Sequence, residues 1–185
     1  MSGQKCIVLD RDGVINFDSD EYIKSLVEWR PIPGSIEAMA RLYKAGYRIL
    51  VMTNQSGLAR GYFSANELNA MHDELHRLLA ALGAKVDAIF YCPHGPDDHC
   101  DCRKPRPGLF TRAAESLAVD LAGVPAIGDS FRDLEAARAV GACPVLVRTG
   151  KGERTIAKNT QQLADWNMPI FDDLSAAVDD LLSRD

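Results

Sequence analysis

A handful of residues scattered along the chain have the types needed to handle a multiply charged substrate. "VLDRDGV" places Asp10 and Asp12 on either side of Arg11, and "GDSFRD" places Asp129 and Asp133 one helical turn apart. Carboxylates gathered at one place repel one another unless a cation lies between them, and hard oxygen ligands with room for water suit Mg²⁺. Thr53 offers a hydroxyl with the N–H groups of Asn54 and Gln55 beside it, and Lys104 offers positive charge to an anion. The bland alternative is that these Asp residues are turn formers and helix caps. Against it stands the set as a whole, since a cap needs no partner a hundred residues away.

A second cluster is the run "YCPHGPDDHCDCRKPRPG". Cys92-x-His94 and Cys100-x-Cys102 form two close pairs of soft or borderline ligands, which suits a closed, tetrahedral Zn²⁺ site of Cys₃His type. A closed site has no open position for water, so the expected role is structural: to fix a long loop and hold the adjoining Arg103 and Lys104 in register. His99 competes with His94 as the fourth ligand, and a redox pair of Cys100 and Cys102 is a further alternative, though a disulfide across CxC is strained. "HDELH" sets His72 and His76 one turn apart but has Asp where the zincin helix has Glu, so a surface or boundary pair is the plainer reading. Cys6 and Cys143 fall in apolar runs and read as core residues.

The elements that must position these groups follow from periodicity. Residues 6–10, 47–53, 86–92, 124–129 and 143–149 are short, near-continuous apolar runs, the pattern of strands buried on both faces. Between them, "SIEAMARLYKAG" puts Ile36, Met39, Ala40 and Tyr43 on one helical face and closes at Gly46. "SANELNAMHDELHRLLAALG" opens with Ser64 and Glu67 as a capping box and carries Leu68, Met71, Leu75, Leu78, Leu79 and Leu82 as a stripe. "GLFTRAAESLA", "FRDLEAARAVG" and "DLSAAVDDLL" supply further helices, and "PIF" a last short strand. Segment 151–168 reads as the most loop-like connection. Strand and helix alternate, which predicts a three-layer, Rossmann-like parallel sheet with helices on both faces, in one domain over residues 1–185. Chemistry in such sheets sits at the carboxyl ends of strands, where Asp10, Thr53, Cys92 and Asp129 fall.

Composition sets the boundaries. The 185 residues are 46% hydrophobic and 25% charged, with a net charge of −5 and no basic block, which argues against a nucleic-acid or anionic-membrane partner. The N-terminus reaches Asp10 too soon for a signal peptide or a spanning helix, so the cytoplasm is expected, and there a cysteine cluster points to metal rather than disulfides.

Asp10-x-Asp12-Gly-Val, Thr53-Asn54, Lys104 and Gly128-Asp129-x-x-x-Asp133, in this order over residues 6–150, resemble the motifs of the haloacid dehalogenase-like phosphatases. The resemblance implies a phosphatase in which Asp10 is the nucleophile and forms an aspartyl-phosphate, and Asp12 is the general acid and base. It implies Thr53 and Lys104 as holders of the phosphoryl oxygens, and Asp133 as an orienter of Lys104 or of a metal-bound water. Mg²⁺ would be held by Asp10, Asp129 and the main-chain carbonyl of Asp12. Many members carry a cap domain, but the intervals here leave no room for one.

"DRDGVIN", "TNQSGLARG", the cysteine loop and "GDSFRDLEAA" together resemble the members that act on a small-molecule sugar bisphosphate of the lipopolysaccharide route. That implies Arg103 in substrate recognition, Asn54, Gln55 and Ser56 in the site, and Asp18 to Tyr22 near the sugar. Arg60 is the expected partner of the phosphate that is kept, and a monomer the expected state. The alternatives are the histidinol-phosphate phosphatases, which share the motifs and a similar loop, and a non-catalytic zinc-stabilised binding module.

Overall fold

The computed structural model describes residues 5–184. Residues 1–4, the start of the N-terminal stretch that reaches Asp10 too soon for a signal peptide, lie outside the described residues. Thirteen elements run in order as β1 (Cys6–Leu9), α1 (Ser35–Lys44), β2 (Arg48–Asn54), α2 (Ala65–Ala81), β3 (Ala88–Cys92), α3 (Gly108–Leu117), β4 (Pro125–Gly128), α4 (Phe131–Ala139), β5 (Cys143–Val147), α5 (Gly152–Lys158), α6 (Thr160–Asp165), β6 (Ile170–Phe171) and α7 (Leu174–Ser183).

All six strands are parallel, in the order β3-β2-β1-β4-β5-β6. The chain therefore builds outward from β1 on one side, then returns to start again on the other. At that reversal the connections above the strand ends diverge and leave a crevice between β1 and β4. Asp10 follows β1 and Asp129 follows β4, so the topology alone sets the two carboxylates side by side. The Asp10 N–H donates to the Ile127 carbonyl at 2.9 Å, which ties the two strand ends together.

Successive strand residues face opposite layers. Ile7, Leu9, Ile49 and Val51 pack with α1, α2 and α7 in one core, and Cys6, Val8, Leu50 and Met52 pack with α3 and α4 in the other. Helix α2 begins at the expected capping box, in which Ser64 Oγ accepts from the Glu67 N–H and the Ser64 N–H donates back to the Glu67 carboxylate. Among the described residues no helix is long and apolar enough to cross a membrane.

Two expectations need correction, and a third is narrowed. Segment 151–168 is mostly helical, as α5 and α6, because Leu163 docks on Leu134 and Leu146 while Trp166 stacks on Phe131 at 5.0 Å. These are long-range contacts that no local period reveals. Cys143 is exposed rather than core, because β6 pairs only with Leu146 and Val147 and leaves the start of β5 uncovered. His72 is buried and His76 is exposed, so of the two readings of this pair the boundary one describes it and the surface one does not.

Candidate active site

One cavity at the carboxyl end of the sheet is lined by Asp10, Asp12, Thr53, Lys104, Asp129 and Asp133, which arrive from four separate segments. Lys104 is at its centre. Its ammonium lies 3.0 Å from Asp10 Oδ1 and 2.7 Å from Asp133 Oδ1, and it donates to the Met52 carbonyl at 2.7 Å. Burial opposes its charge, but Asp10 and Asp133 outweigh burial and hold its pKa above the ordinary lysine range. Asp133 is also a cap: its carboxylate accepts from the Ser130 N–H at 3.0 Å and from the Ser130 hydroxyl. One carboxylate thus both caps α4 and contacts Lys104.

Asp10 carries a different strain. Burial pushes its pKa up to about 7 against the pull of Lys104, and the charges of Asp133 and Asp12 add to the rise. Asp129 is likewise raised, by burial first and then by Asp133 and Asp10. Asp10, Asp129 and Asp133 can each offer an oxygen within 4.8 Å of the others. A cluster of acids whose charge is disfavoured this way fits a divalent cation with oxygen ligands. The geometry around Asp129 fits it further. A Cβ on Gly13 would fall 2.0 Å from Asp129 Oδ2, and one on Gly150 would fall 2.2 Å from it, so only bare backbone admits this carboxylate. Both glycines have positive φ as well, where a side chain would be strained.

Asp12 points elsewhere. Arg11 grips it through Nε at 3.0 Å and Nη2 at 2.9 and 3.1 Å, Asn16 donates at 2.8 Å and Gln55 at 2.8 Å. Burial works to raise the Asp12 pKa, but Arg11 and these hydrogen bonds overcome it and leave the carboxyl below its usual value. Arg11 is only 1% exposed. It was missed in the sequence, because an arginine between two acids reads as a solvent-facing neighbour until its burial is known.

The polar residues after β2 form a brace. Gln55 donates to both Asp12 and Thr53 Oγ1, the latter at 2.9 Å. Asn54 lines the cavity and also exchanges two hydrogen bonds of 3.1 Å with the main chain of Lys104. Ser56 is buried in the same wall. Asp18 and Tyr22 line the cavity as expected, with Tyr22 in the left-handed region at φ 69° and edge-on to Tyr62 at 5.1 Å. Arg60 does not line it and is exposed. In its place the cavity has Arg132 and Lys151, neither of which stood out in the sequence. Lys151, just before α5, pairs with Asp18, and Arg154 in α5 pairs with Asp20 at 2.8 Å, which ties this stretch to the 18–22 loop lining the cavity. The spacing in "GDSFRD" was a usable signal for Arg132; nothing local marked Lys151.

Cys92, His94, Cys100 and Cys102 converge as expected, with Cys92 Sγ 3.2 Å from Cys102 Sγ and 3.6 Å from Cys100 Sγ, and His94 Nδ1 3.3 Å from Cys102 Sγ. Ligands at about 2.3 Å from one zinc ion would be separated by somewhat under 4 Å, so this donor set fits the metal. His99 is outside the cluster. Arg103 donates to the His94 carbonyl at 3.3 Å, and Arg106 to the Cys100 carbonyl at 2.7 Å, which couples the loop to the basic stretch that follows it.

The sheet order, the paired carboxylates and the central lysine define a haloacid dehalogenase-like hydrolase. A family model described as HAD-hydrolase-like matches residues 101–177, and one described as polynucleotide kinase 3 phosphatase matches residues 6–129. The chain belongs to the D-glycero-β-D-manno-heptose-1,7-bisphosphate 7-phosphatase family, and is a phosphoric monoester hydrolase. A relative of that name from Pseudomonas aeruginosa is 57% identical over 95% of this chain and 97% of its own, and one from Pseudomonas putida 56% over 96% and 99%. The crystal structure of D,D-heptose 1,7-bisphosphate phosphatase from Bordetella bronchiseptica, complexed with magnesium and phosphate, is 51% identical. It superposes with a TM-score of 0.92 over 98% of this chain and 99% of that one.

Proposed function

We propose that the chain hydrolyses the 7-phosphate of D-glycero-β-D-manno-heptose 1,7-bisphosphate, in the cytoplasm, on the route to nucleotide-activated heptose for lipopolysaccharide. The observation that carries the chemistry is the contact of Lys104 with both Asp10 and Asp133, beside Asp129, in one cavity at the topological switch point. The near full-length similarity to relatives of that name supports the substrate.

Asp10 attacks the phosphorus, and the bond from phosphorus to the C7 oxygen breaks as Asp12 protonates that oxygen. Asp12 then takes a proton from water, which attacks the aspartyl-phosphate, frees inorganic phosphate and restores Asp10. Turning away from Arg11 would remove the charge that keeps Asp12 ionised, which favours the acid form the first step needs. Thr53 and Lys104 hold the phosphoryl oxygens, each such donor being worth roughly 3 kcal/mol at the transition state. Bound Mg²⁺, with Asp10, Asp129 and the Asp12 carbonyl as its proposed ligands, would neutralise charge on the transferring group. Zn²⁺ on the cysteine loop would be structural, and its thiolate ligands agree with a reducing compartment. The chain would act as a monomer, in a single domain over residues 1–185.

The rival substrate, histidinol phosphate, brings an amine that would favour free carboxylates at the rim. Asp18 and Asp20 are both already paired. The test is to compare kcat/KM for both heptose bisphosphate anomers and histidinol phosphate, with and without Mg²⁺. The β anomer should lead and require the metal. Faster turnover of histidinol phosphate overturns the substrate, and silence across the panel favours the binding module.

A further inference from the structure

Four cations line the cavity: Arg103, Lys104, Arg132 and Lys151. Two are neutralised from within, Lys104 by Asp10 and Asp133 and Lys151 by Asp18. The other two have no carboxylate within ion-pair distance among the described residues. Arg103 reaches only the His94 carbonyl, through one of its nitrogens. Arg132, on the first turn of α4, is half-buried, and its side chain makes no hydrogen bond among the described residues.

Two guanidinium groups with spare donors facing one cavity repel each other until an anion comes between them. A phosphate is the anion whose oxygens match the planar fork of each. The transferred phosphate has its own holders at Lys104 and Thr53, so the pair faces a second one. We propose that Arg132, together with Arg103, binds the phosphate that the enzyme leaves on its sugar. This assignment rests on the bisphosphate reading given above, and it moves the role once expected of Arg60 to α4. Arg132 is then a specificity-determining residue. It contacts a part of the substrate remote from the reacting phosphorus, so its contribution is to binding and to the choice of a bisphosphate over a monophosphate.

The experiment measures kcat/KM for heptose 1,7-bisphosphate and for heptose 7-phosphate, in the wild type and in Arg132→Ala, Arg132→Lys and Arg60→Ala. The readout is the ratio of the two specificity constants. In Arg132→Ala the ratio should fall about 10- to 100-fold, mainly through KM for the bisphosphate. Arg132→Lys keeps the charge without the fork and should lie between. A ratio in Arg132→Ala equal to that of the wild type overturns the assignment, even if both substrates slow together, because the side chain would then serve the transferred phosphate or the fold. So does a collapse of the ratio in Arg60→Ala alone. A wild type with no preference for the bisphosphate overturns the proposed substrate itself, and is told apart because it needs no variant.

Discussion

Asn54 and Lys104 exchange two hydrogen bonds across fifty residues of chain: the Lys104 N–H donates to Asn54 Oδ1, and Asn54 Nδ2 donates to the Lys104 carbonyl, both at 3.1 Å. The side chain at the end of β2 thus plays the part of a backbone strand partner for the loop that brings in the lysine. Asn54→Ala should cost about 1–3 kcal/mol in urea unfolding. It should also lower kcat roughly tenfold or more, because a misplaced ammonium loses contact with the phosphoryl oxygens. A loss of stability with unchanged kcat would show that Lys104 needs no such clasp.

Asp10→Asn should abolish turnover while leaving zinc content and the folded circular dichroism spectrum unchanged. The amide is nearly isosteric and removes a charge that burial disfavours, so stability should not fall. Wild-type rates in this variant would remove Asp10 as the nucleophile.

Cys100→Ser should lose zinc, measured by mass spectrometry, and lower stability and activity together. The loop carries Arg103 through the His94 carbonyl and runs straight into Lys104, so loss of a structural metal should cost about 4 kcal/mol or more and disorder both cations. Normal kinetics without zinc would separate the loop from the active site.

Gly13→Ala should weaken Mg²⁺ activation more than it weakens the fold. The new methyl would meet the Asp129 carboxylate, and φ of +88° adds backbone strain of about 1 kcal/mol or more. The expected outcome is a raised half-saturating Mg²⁺ concentration and a lower kcat. An unchanged metal titration would mean that Asp129 tolerates displacement.

His72 makes stability depend on pH. Burial lowers its pKa to about 4, with the positive charge of Arg11 adding to the effect. The neutral ring is the form that fits, so its contribution is complete above about pH 6.5 and is lost as pH falls towards 4, by up to about 3 kcal/mol. His72→Leu should flatten that part of the curve, seen as a smaller difference in unfolding free energy between pH 7 and pH 4.5. A variant whose stability falls in parallel with the wild type would place the acid sensitivity in other groups.

The sequence by itself determined the strands, most helices, the parallel class and the motif residues that gather. Each of these depends on short-range facts: apolar runs of strand length, a 3.6-residue stripe, Ser64 with Glu67, and acids at strand ends. The close Cys and His pairs belong to the same kind, because their ligand spacing is local. Tertiary structure alone decided which way polar side chains turn. Arg11 became a buried partner of Asp12, Asn54 a clasp on Lys104, and Arg132 a cavity cation, while Arg60 stayed outside. It also turned 151–168 into helices and set Lys151 on Asp18. The physical reason is that burial and charge pairing depend on what arrives from distant segments, and a side chain's partners exist only once the sheet order has brought those segments together.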